Sequence, residues 1–372
     1  MTNQYIDKLT QLEADNCMRR LPKPVPGTIT NLSSNDYLGL LYEPGLWDDF
    51  CQQYHPSTVG MSACSSRLLT GNTPQHIALE ALLTKLYQKE AALLFNSGYH
   101  ANVGILPALT DHRDLVLADK RVHASLIDGM QLCQAETLRF QHNDCQHLER
   151  LLTKKRHLYN RVFIVTESIF SMDGDVAPLE ELIRLKNKHN CFLYVDEAHA
   201  IGVRGNNGLG LLEEMGLMNE AELIVATFGK ALASTGAFVA CSQTIQAMLV
   251  NHCRSLIFTT ALPPINVAWT QFIFSRMAHF APKRENLRNL SQFMGNLIGQ
   301  QPQSHIIPMV VGSNARAVSL ARHLQENHFH VMPIRHPTVP KGQARLRISL
   351  TANLTSNDLS PLKALLDAYP MD

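Results

Sequence analysis

Charge of one sign, long apolar runs and paired cysteines are all missing from this 372-residue chain. Lys plus Arg number 33 against 32 Asp plus Glu, a formal net charge of +1, so no global field draws the protein to nucleic acid or to an acidic membrane surface. Runs such as Arg161 to Thr166 end far short of the roughly 18 apolar residues that a bilayer-spanning helix needs. The eight cysteines stand singly, at 17, 51, 64, 133, 145, 191, 241 and 253, without CxxC or zinc-knuckle spacing. They read as buried or incidental thiols of a reducing cytoplasm, with no metal expected. The opening residues contain no continuous apolar segment of the kind found in secretion signals. A soluble cytoplasmic protein with a small-molecule substrate is the resulting expectation.

What is present is a globular composition, 45% apolar and 17% charged, over a length equal to two or three domains. Short runs rich in Val, Ile, Leu and Phe alternate with amphipathic stretches. The runs at Ala91 to Phe95, Asp114 to Ala118, Arg161 to Thr166, Cys191 to Val195, Glu222 to Ala226 and Ala237 to Cys241 predict strands buried on both faces. Helices are predicted for Gln75 to Glu90, His123 to Cys133, His147 to Arg156 and Pro178 to His189, where apolar residues recur every three or four positions. This alternation is the signature of an α/β domain with a mainly parallel sheet.

After Leu262-Pro263-Pro264 the pattern changes to long helical stretches, Ile265 to Phe280 and Lys283 to Leu297. Sparser strands follow at Ile306 to Val311, His330 to Ile334 and Ala344 to Leu350, with helices at Ala315 to Glu326 and Ser356 to Tyr369. The division predicted is an N-terminal helical arm over 1–40, a large α/β domain over 41–275 and a smaller α+β domain over 276–372.

Four segments carry chemistry at predicted strand ends. Leu193-Tyr194-Val195-Asp196-Glu197-Ala198-His199 delivers an acid and a histidine where ligands of open α/β sheets bind. An ordinary acidic helix cap explains it equally well. Ala226-Thr227-Phe228-Gly229-Lys230 brings a lysine to the same sheet edge; a desolvated lysine there can form a Schiff base with a carbonyl cofactor, although most lysines only solvate a surface. Phe95-Asn96-Ser97-Gly98-Tyr99-His100 runs through a glycine turn into a helix whose free N–H groups suit a phosphate, and Val122-His123-Ala124-Ser125 offers a stackable imidazole or a plain core histidine. Thr166 to Asp175 gathers acids and hydroxyls that capping alone would account for. The dinucleotide fingerprint GxGxxG does not follow the first strand, which disfavours a nicotinamide dehydrogenase.

In this order the segments resemble the α-oxoamine synthases, a family of fold-type I pyridoxal-phosphate (PLP) enzymes. The resemblance covers almost the whole chain: Ser33-Ser34-Asn35-Asp36-Tyr37-Leu38-Gly39, Ser66 to Asn72, the SGYHAN, HASL, TESIFSMDGD, VDEAH and TFGK segments, and Ala344-Arg345-Leu346-Arg347. It implies a fold-type I transferase with a seven-stranded-type, mainly parallel sheet. Two places depart from the family pattern: Ala233, more often glycine, and Ala200-Ile201-Gly202, often GTG.

The resemblance also implies roles. Lys230 would carry PLP, Asp196 would pair with its ring nitrogen, and His123 would stack on the ring opposite Ala198, making Lys230, His123 and Asp196 the catalytic set. Ser171 and His199 would approach the phenolic oxygen, while Gly98, Tyr99 and Thr227 bind the phosphate. Thr259 and Thr260 would reach the partner's phosphate in a homodimer with shared active sites. Arg347 would grip the amino-acid carboxylate near Asn35 and His123, and Thr338 with Arg19 would contact the acyl substrate. Arg20 is an equal candidate for that last contact. The implied reaction is a decarboxylative condensation of L-alanine with a pimeloyl thioester of coenzyme A or acyl carrier protein, suggested by Ile334 to Gly342. Glycine with acetyl-CoA is the sibling alternative, and a non-catalytic subunit of the same fold is the remaining one.

Overall fold

The computed structural model describes residues 2–369. Its strands are β1 (Thr30–Asn31), β2 (Ala91–Phe95), β3 (Leu115–Asp119), β4 (Glu136–Phe140), β5 (Val162–Glu167), β6 (Phe192–Asp196), β7 (Leu223–Thr227), β8 (Ala237–Cys241), β9 (Ile306–Gly312), β10 (Phe329–His330), β11 (Pro333–Ile334) and β12 (Ala344–Ser349). They belong to two compact units. The larger takes Leu38–Phe170 and Val176–Arg284; the smaller takes the chain up to Tyr37, the short stretch Ser171–Asp175, and the chain from Glu285 onward.

The larger unit is built on one seven-stranded sheet in the order β2-β8-β7-β6-β5-β3-β4. Every pairing is parallel except those of β8, which runs against both neighbours. β2, β3, β5, β7 and β8 are buried at every position, as their unbroken apolar runs require. The edge strand β4 went unpredicted. Its sequence, Glu136-Thr137-Leu138-Arg139-Phe140, interleaves charge with apolar residues, and only Phe140 is fully buried.

The helix Gly98–Leu109 follows β2 and is buried almost all round. The next helix, Ala124–Leu132, comes against it where Gly129 leaves room: a Cβ there would lie 2.4 Å from the carbonyl oxygen of Asn102. That close approach brings Ser125, one turn earlier, within hydrogen-bond distance of Asn102, at 3.0 Å.

The smaller unit has a three-stranded antiparallel sheet, β11-β12-β9, and a parallel pairing of β1 with β10. The single strand predicted over His330 to Ile334 is therefore two short strands in different sheets, with a break at Val331-Met332 before Pro333, which has no N–H to donate. The helix predicted over Ile265 to Phe280 stops at Ser275 and gives way to a 3₁₀ turn, Met277–Phe280, while the helix predicted over Lys283 to Leu297 spans Ala281–Ile298. Ser356 to Tyr369 is likewise interrupted at Ser360-Pro361. Ser171–Asp175 is bound into this unit at four points. Arg347 Nε donates to Ser171 O at 2.5 Å, Arg345 pairs with Asp173 at 2.6 Å, and Ser304 donates to Gly174 O at 2.7 Å. Gly174 itself, at φ +66°, lies so near Ile306 that an added Cβ would fall 1.9 Å from that residue's carbonyl oxygen.

Candidate active site

Five of the parallel-sheet strand ends deliver the residues singled out in the sequence. β2 ends at Phe95 and leads to Gly98 and Tyr99; β3 leads to His123; β6 ends at Asp196 and leads to His199; β7 ends at Thr227 and leads to Lys230. β5 ends at Glu167 and leads to Ser171. In a parallel sheet these carboxyl ends share one edge, the usual ligand edge of an open α/β fold.

Lys230 and His199 meet there, Nζ to Nε2, at 2.7 Å. Asp196 is buried, and its two carboxylate oxygens are held separately: Ala198 N donates to Oδ1 at 2.9 Å and Asn102 Nδ2 to Oδ2 at 2.7 Å. His123 lies within electrostatic range of both Asp196 and Lys230. Burial holds its imidazole below the usual histidine range, the carboxylate of Asp196 opposes that, and Lys230 reinforces it. The structure thus brings Lys230, His199, Asp196 and His123 into one cluster.

Gly98 and Tyr99 open their helix behind Ser97, whose hydroxyl accepts from His100 N. The N–H groups of Gly98 and Tyr99 make no backbone hydrogen bond among the described residues, and they form the positive end of the helix dipole. A Cβ on Gly98 would touch Thr227 at 3.6 Å, so this helix start and the end of β7 are neighbours. The Thr227 hydroxyl donates to Gly236 O at 3.0 Å and accepts from Gly229 N. Tyr99 is half exposed and directs its hydroxyl to Asp128 at 2.8 Å, leaving its backbone N–H as the group available to an anion. Thr259 and Thr260 are tied to the same edge by Asn96, whose amide donates to Thr259 Oγ1 at 3.0 Å and Thr260 O at 2.7 Å.

Ser171 belongs to the smaller unit, together with Asn35 and Arg347. Arg347 is buried, and its guanidinium is surrounded by neutral acceptors: Ser171 O, Asn35 Oδ1 at 3.2 Å, Ser349 Oγ at 2.5 Å and Tyr37 OH at 3.2 Å. Among the described residues no carboxylate pairs with it, whereas its neighbour Arg345 has Asp173. A buried cation with only neutral partners is an uncompensated charge suited to an anionic ligand. In the same unit Arg19 Nη2 donates to Thr338 Oγ1 at 2.9 Å, while Arg20 turns away to Glu13 at 2.5 Å.

Two residues at the site were not singled out in the sequence. Asn102 joins Asp196 to Ser125 and lay unremarked inside the SGYHAN segment. Glu197 is buried, accepts from Ser168 Oγ, Leu211 N and Leu212 N, and so ties the end of β6 to the end of β5. Burial drives its carboxyl above the usual carboxylate range, with those three donors opposing. Its place beside Asp196 in the sequence was the available signal.

A lysine, a buried carboxylate fixed at a strand end, a neutral histidine and a helix N-terminus match the aldehyde, ring nitrogen, ring face and phosphate of PLP by donor chemistry. Comparison with known proteins agrees. The family model described as aminotransferase class I and II matches residues 27–364. A Haemophilus influenzae (strain 86-028NP) protein named "Putative 8-amino-7-oxononanoate synthase" is 49% identical over 97% of this chain and 99% of its own, and a Neisseria meningitidis Z2491 protein of the same name is 48% identical over the same shares. Among solved structures, serine palmitoyltransferase from S. paucimobilis with PLP and myriocin bound superposes with a TM-score of 0.89 at 26% identity, over 98% of this chain and 96% of that one. The 8-amino-7-oxononanoate synthase of Francisella tularensis gives 0.77 at 28% identity, over 92% and 97%. The chain belongs to the class I and II aminotransferase family. Within it, the chain is a fold-type I, PLP-dependent enzyme of the α-oxoamine synthase kind. No helix among the described residues is long and apolar enough to cross a membrane.

Proposed function

We propose that the protein condenses L-alanine with a pimeloyl thioester, releasing CO₂ and the free thiol, to form 8-amino-7-oxononanoate for biotin biosynthesis. The observation that carries this choice is the Arg19–Thr338 hydrogen bond. It joins two positions 319 residues apart, both assigned to the acyl substrate, and holds an exposed guanidinium ready for the distal carboxylate of a dicarboxylic acyl chain. Arg20, engaged with Glu13, is the weaker candidate for that contact. The names of the relatives at 48–49% identity support the same reaction.

Bound PLP supplies an electron-poor ring that stabilises the negative charge left at Cα when its proton departs. The chain's residues do the rest. Lys230 Nζ would hold the coenzyme's aldehyde and would carry the proton to and from the substrate Cα. His199, 2.7 Å from that Nζ, would receive or return the proton, and the roles implied for His199 and for Ser171 are contacts to the phenolic oxygen. Asp196 would keep the pyridine nitrogen protonated, its two oxygens held in place by Asn102 and Ala198. His123 would cover one ring face and Ala198 the other. The free N–H groups of Gly98 and Tyr99, with Thr227, would bind the phosphate. Arg347, with Asn35 beside it, would take the alanine carboxylate and so orient the substrate Cα. Thr259 and Thr260 complete the phosphate site of a second copy in a homodimer.

A matrix of amino acids against acyl thioesters, read by product mass, tests the reaction. Alanine with pimeloyl-CoA or pimeloyl carrier protein is expected to give the dominant product. Glycine with acetyl-CoA outperforming it would move the protein to the sibling reaction. Lys230→Ala is expected to lose the coenzyme absorption band and its bleaching by borohydride; a protein that kept both would refute the assignment of Lys230.

A further inference from the structure

We propose that Asn102 is a positioning residue that fixes, through one buried chain of hydrogen bonds, both the tautomer of His123 and the orientation of the Asp196 carboxylate. The chain runs Tyr194 to Asn102, then from Asn102 in two directions, to Asp196 and through Ser125 to His123. Tyr194 Oη lies 2.7 Å from Asn102 Oδ1; Asn102 Nδ2 lies 2.7 Å from Asp196 Oδ2 and 3.0 Å from Ser125 Oγ; Ser125 Oγ lies 2.7 Å from His123 Nδ1. Tyr194, Asn102, Ser125 and Asp196 are all buried.

Donor and acceptor capacities leave this chain one direction. An ionised carboxylate only accepts, so the Asn102 group facing Asp196 is the NH₂, and its carbonyl oxygen therefore faces Tyr194 and accepts the phenol proton. Turned over, the amide would set two oxygens against each other at 2.7 Å and strip Asp196 Oδ2 of its donor. The second N–H of Asn102 goes to Ser125 Oγ, which leaves the serine proton for His123 Nδ1. The backbone N–H of Ser125, which can only donate, also points at Nδ1, at 3.2 Å. An atom receiving two donors presents a lone pair, so the imidazole proton sits on Nε2.

His123 therefore meets the reacting molecule with an N–H donor at Nε2. It can hydrogen-bond an anionic group there and cannot accept a proton at that atom. Sequence-remote contacts are needed to bring this about: Tyr194 and Asp196 lie on one strand, Asn102 and Ser125 on two separate helices. The Gly129 approach described above sets the spacing of those helices. The Asp196 half of this inference rests on the proposed PLP site; the tautomer half is a property of the protein alone.

The test uses the full-length protein labelled with ¹⁵N in its histidine rings, with and without PLP, and assigns the His123 resonances by difference from His123→Gln. The expected wild-type spectrum at neutral pH shows the Nε2–H tautomer in both forms. Ser125→Ala and Asn102→Ala are each expected to give a mixture of tautomers. PLP affinity separates the two variants: Asn102→Ala weakens it by about tenfold or more, while Ser125→Ala, which keeps the Asn102–Asp196 contact, changes it by less than about threefold. An Nδ1–H or doubly protonated His123 in the wild type overturns the tautomer assignment, even if Asn102→Ala does not fold. Wild-type PLP affinity in a folded Asn102→Ala overturns the Asp196 half. A wild-type protein that bound no PLP would instead refute the proposed function, with the tautomer still decided by the spectrum.

Discussion

The indole N–H of Trp269 donates to the carbonyl oxygen of Ala233 at 3.0 Å, and Ala233 holds a left-handed backbone, φ +44°. The next residue is gripped from the same helix, Ser234 Oγ to Thr270 Oγ1 at 2.7 Å. Ala233 N closes a turn onto Lys230 O, so the helix Pro264–Ser275 holds the lysine loop in a conformation that costs an alanine about 1 kcal/mol. This explains why glycine suits that position in the family. Ala233→Gly is expected to be neutral or to stabilise by up to about 1 kcal/mol, where the same exchange at an ordinary position costs about that much. The shift in denaturant midpoint reads it, and a clear destabilisation would contradict the account.

Arg347 gives a second prediction. Its partners are all neutral, so Arg347→Lys removes the fork without burying a new charge, and a lysine cannot span Asn35, Tyr37 and Ser349 together. The KM for alanine should rise about tenfold or more with PLP affinity little changed. Equal losses in both would mean that Arg347 only supports the fold.

For the acyl side, Arg19→Ala and Thr338→Val should each raise the KM for pimeloyl thioester and leave that for alanine alone. Because the pair is exposed, the effect of the Thr338 change should be modest, a few-fold, and that of Arg19 larger if it meets the distal carboxylate. A monomethyl ester of the acyl chain should erase the difference between wild type and Arg19→Ala. Persistence of the difference with the ester would remove Arg19 from the carboxylate.

His76 should make the fold sensitive to acid. It is fully buried, its Nδ1 meets Thr73 Oγ1 at 2.8 Å, and its Nε2 has no partner among the described residues. Burial first, and then the nearby Arg67, push its imidazole down to about 4. The unfolded chain therefore binds a proton near 6.5 that the folded one refuses, so the contribution is complete above pH 6.5 and is lost as pH falls toward about 4. The loss amounts to no more than about 3 kcal/mol. His76→Gln should flatten the stability curve in that window; an unchanged slope would assign the sensitivity elsewhere.

Much of the larger sheet was legible because both-face burial leaves uninterrupted apolar runs, as in Ala91 to Phe95 or Leu223–Thr227. β4 was not, since an edge strand is free to carry Glu136 and Arg139. Lys230, Asp196, His123 and His199 could be named from their places after strands. Asn102 could not: an asparagine at the fifth position of a helix looks the same whether it faces solvent or a buried carboxylate, and only the approach allowed by Gly129 decides. Trp269 was hidden for a similar reason, its partner being a carbonyl oxygen that no sequence displays. Equally invisible was the choice between Arg19 and Arg20, adjacent residues that diverge to Thr338 and Glu13.

The smaller unit draws on both chain ends and on five residues from the middle. During synthesis the larger unit has its whole sequence once Arg284 has emerged from the ribosome. Arg347 and Arg345, which fasten Ser171 and Asp173, arrive later, so until then that stretch is held only at Gly174, by Ser304 and Ile306, and the arginine proposed to take the substrate carboxylate is missing. Nascent chains stalled before β12 should consequently acquire a protease-resistant larger unit in which Ser171–Asp175 remains the point of cleavage.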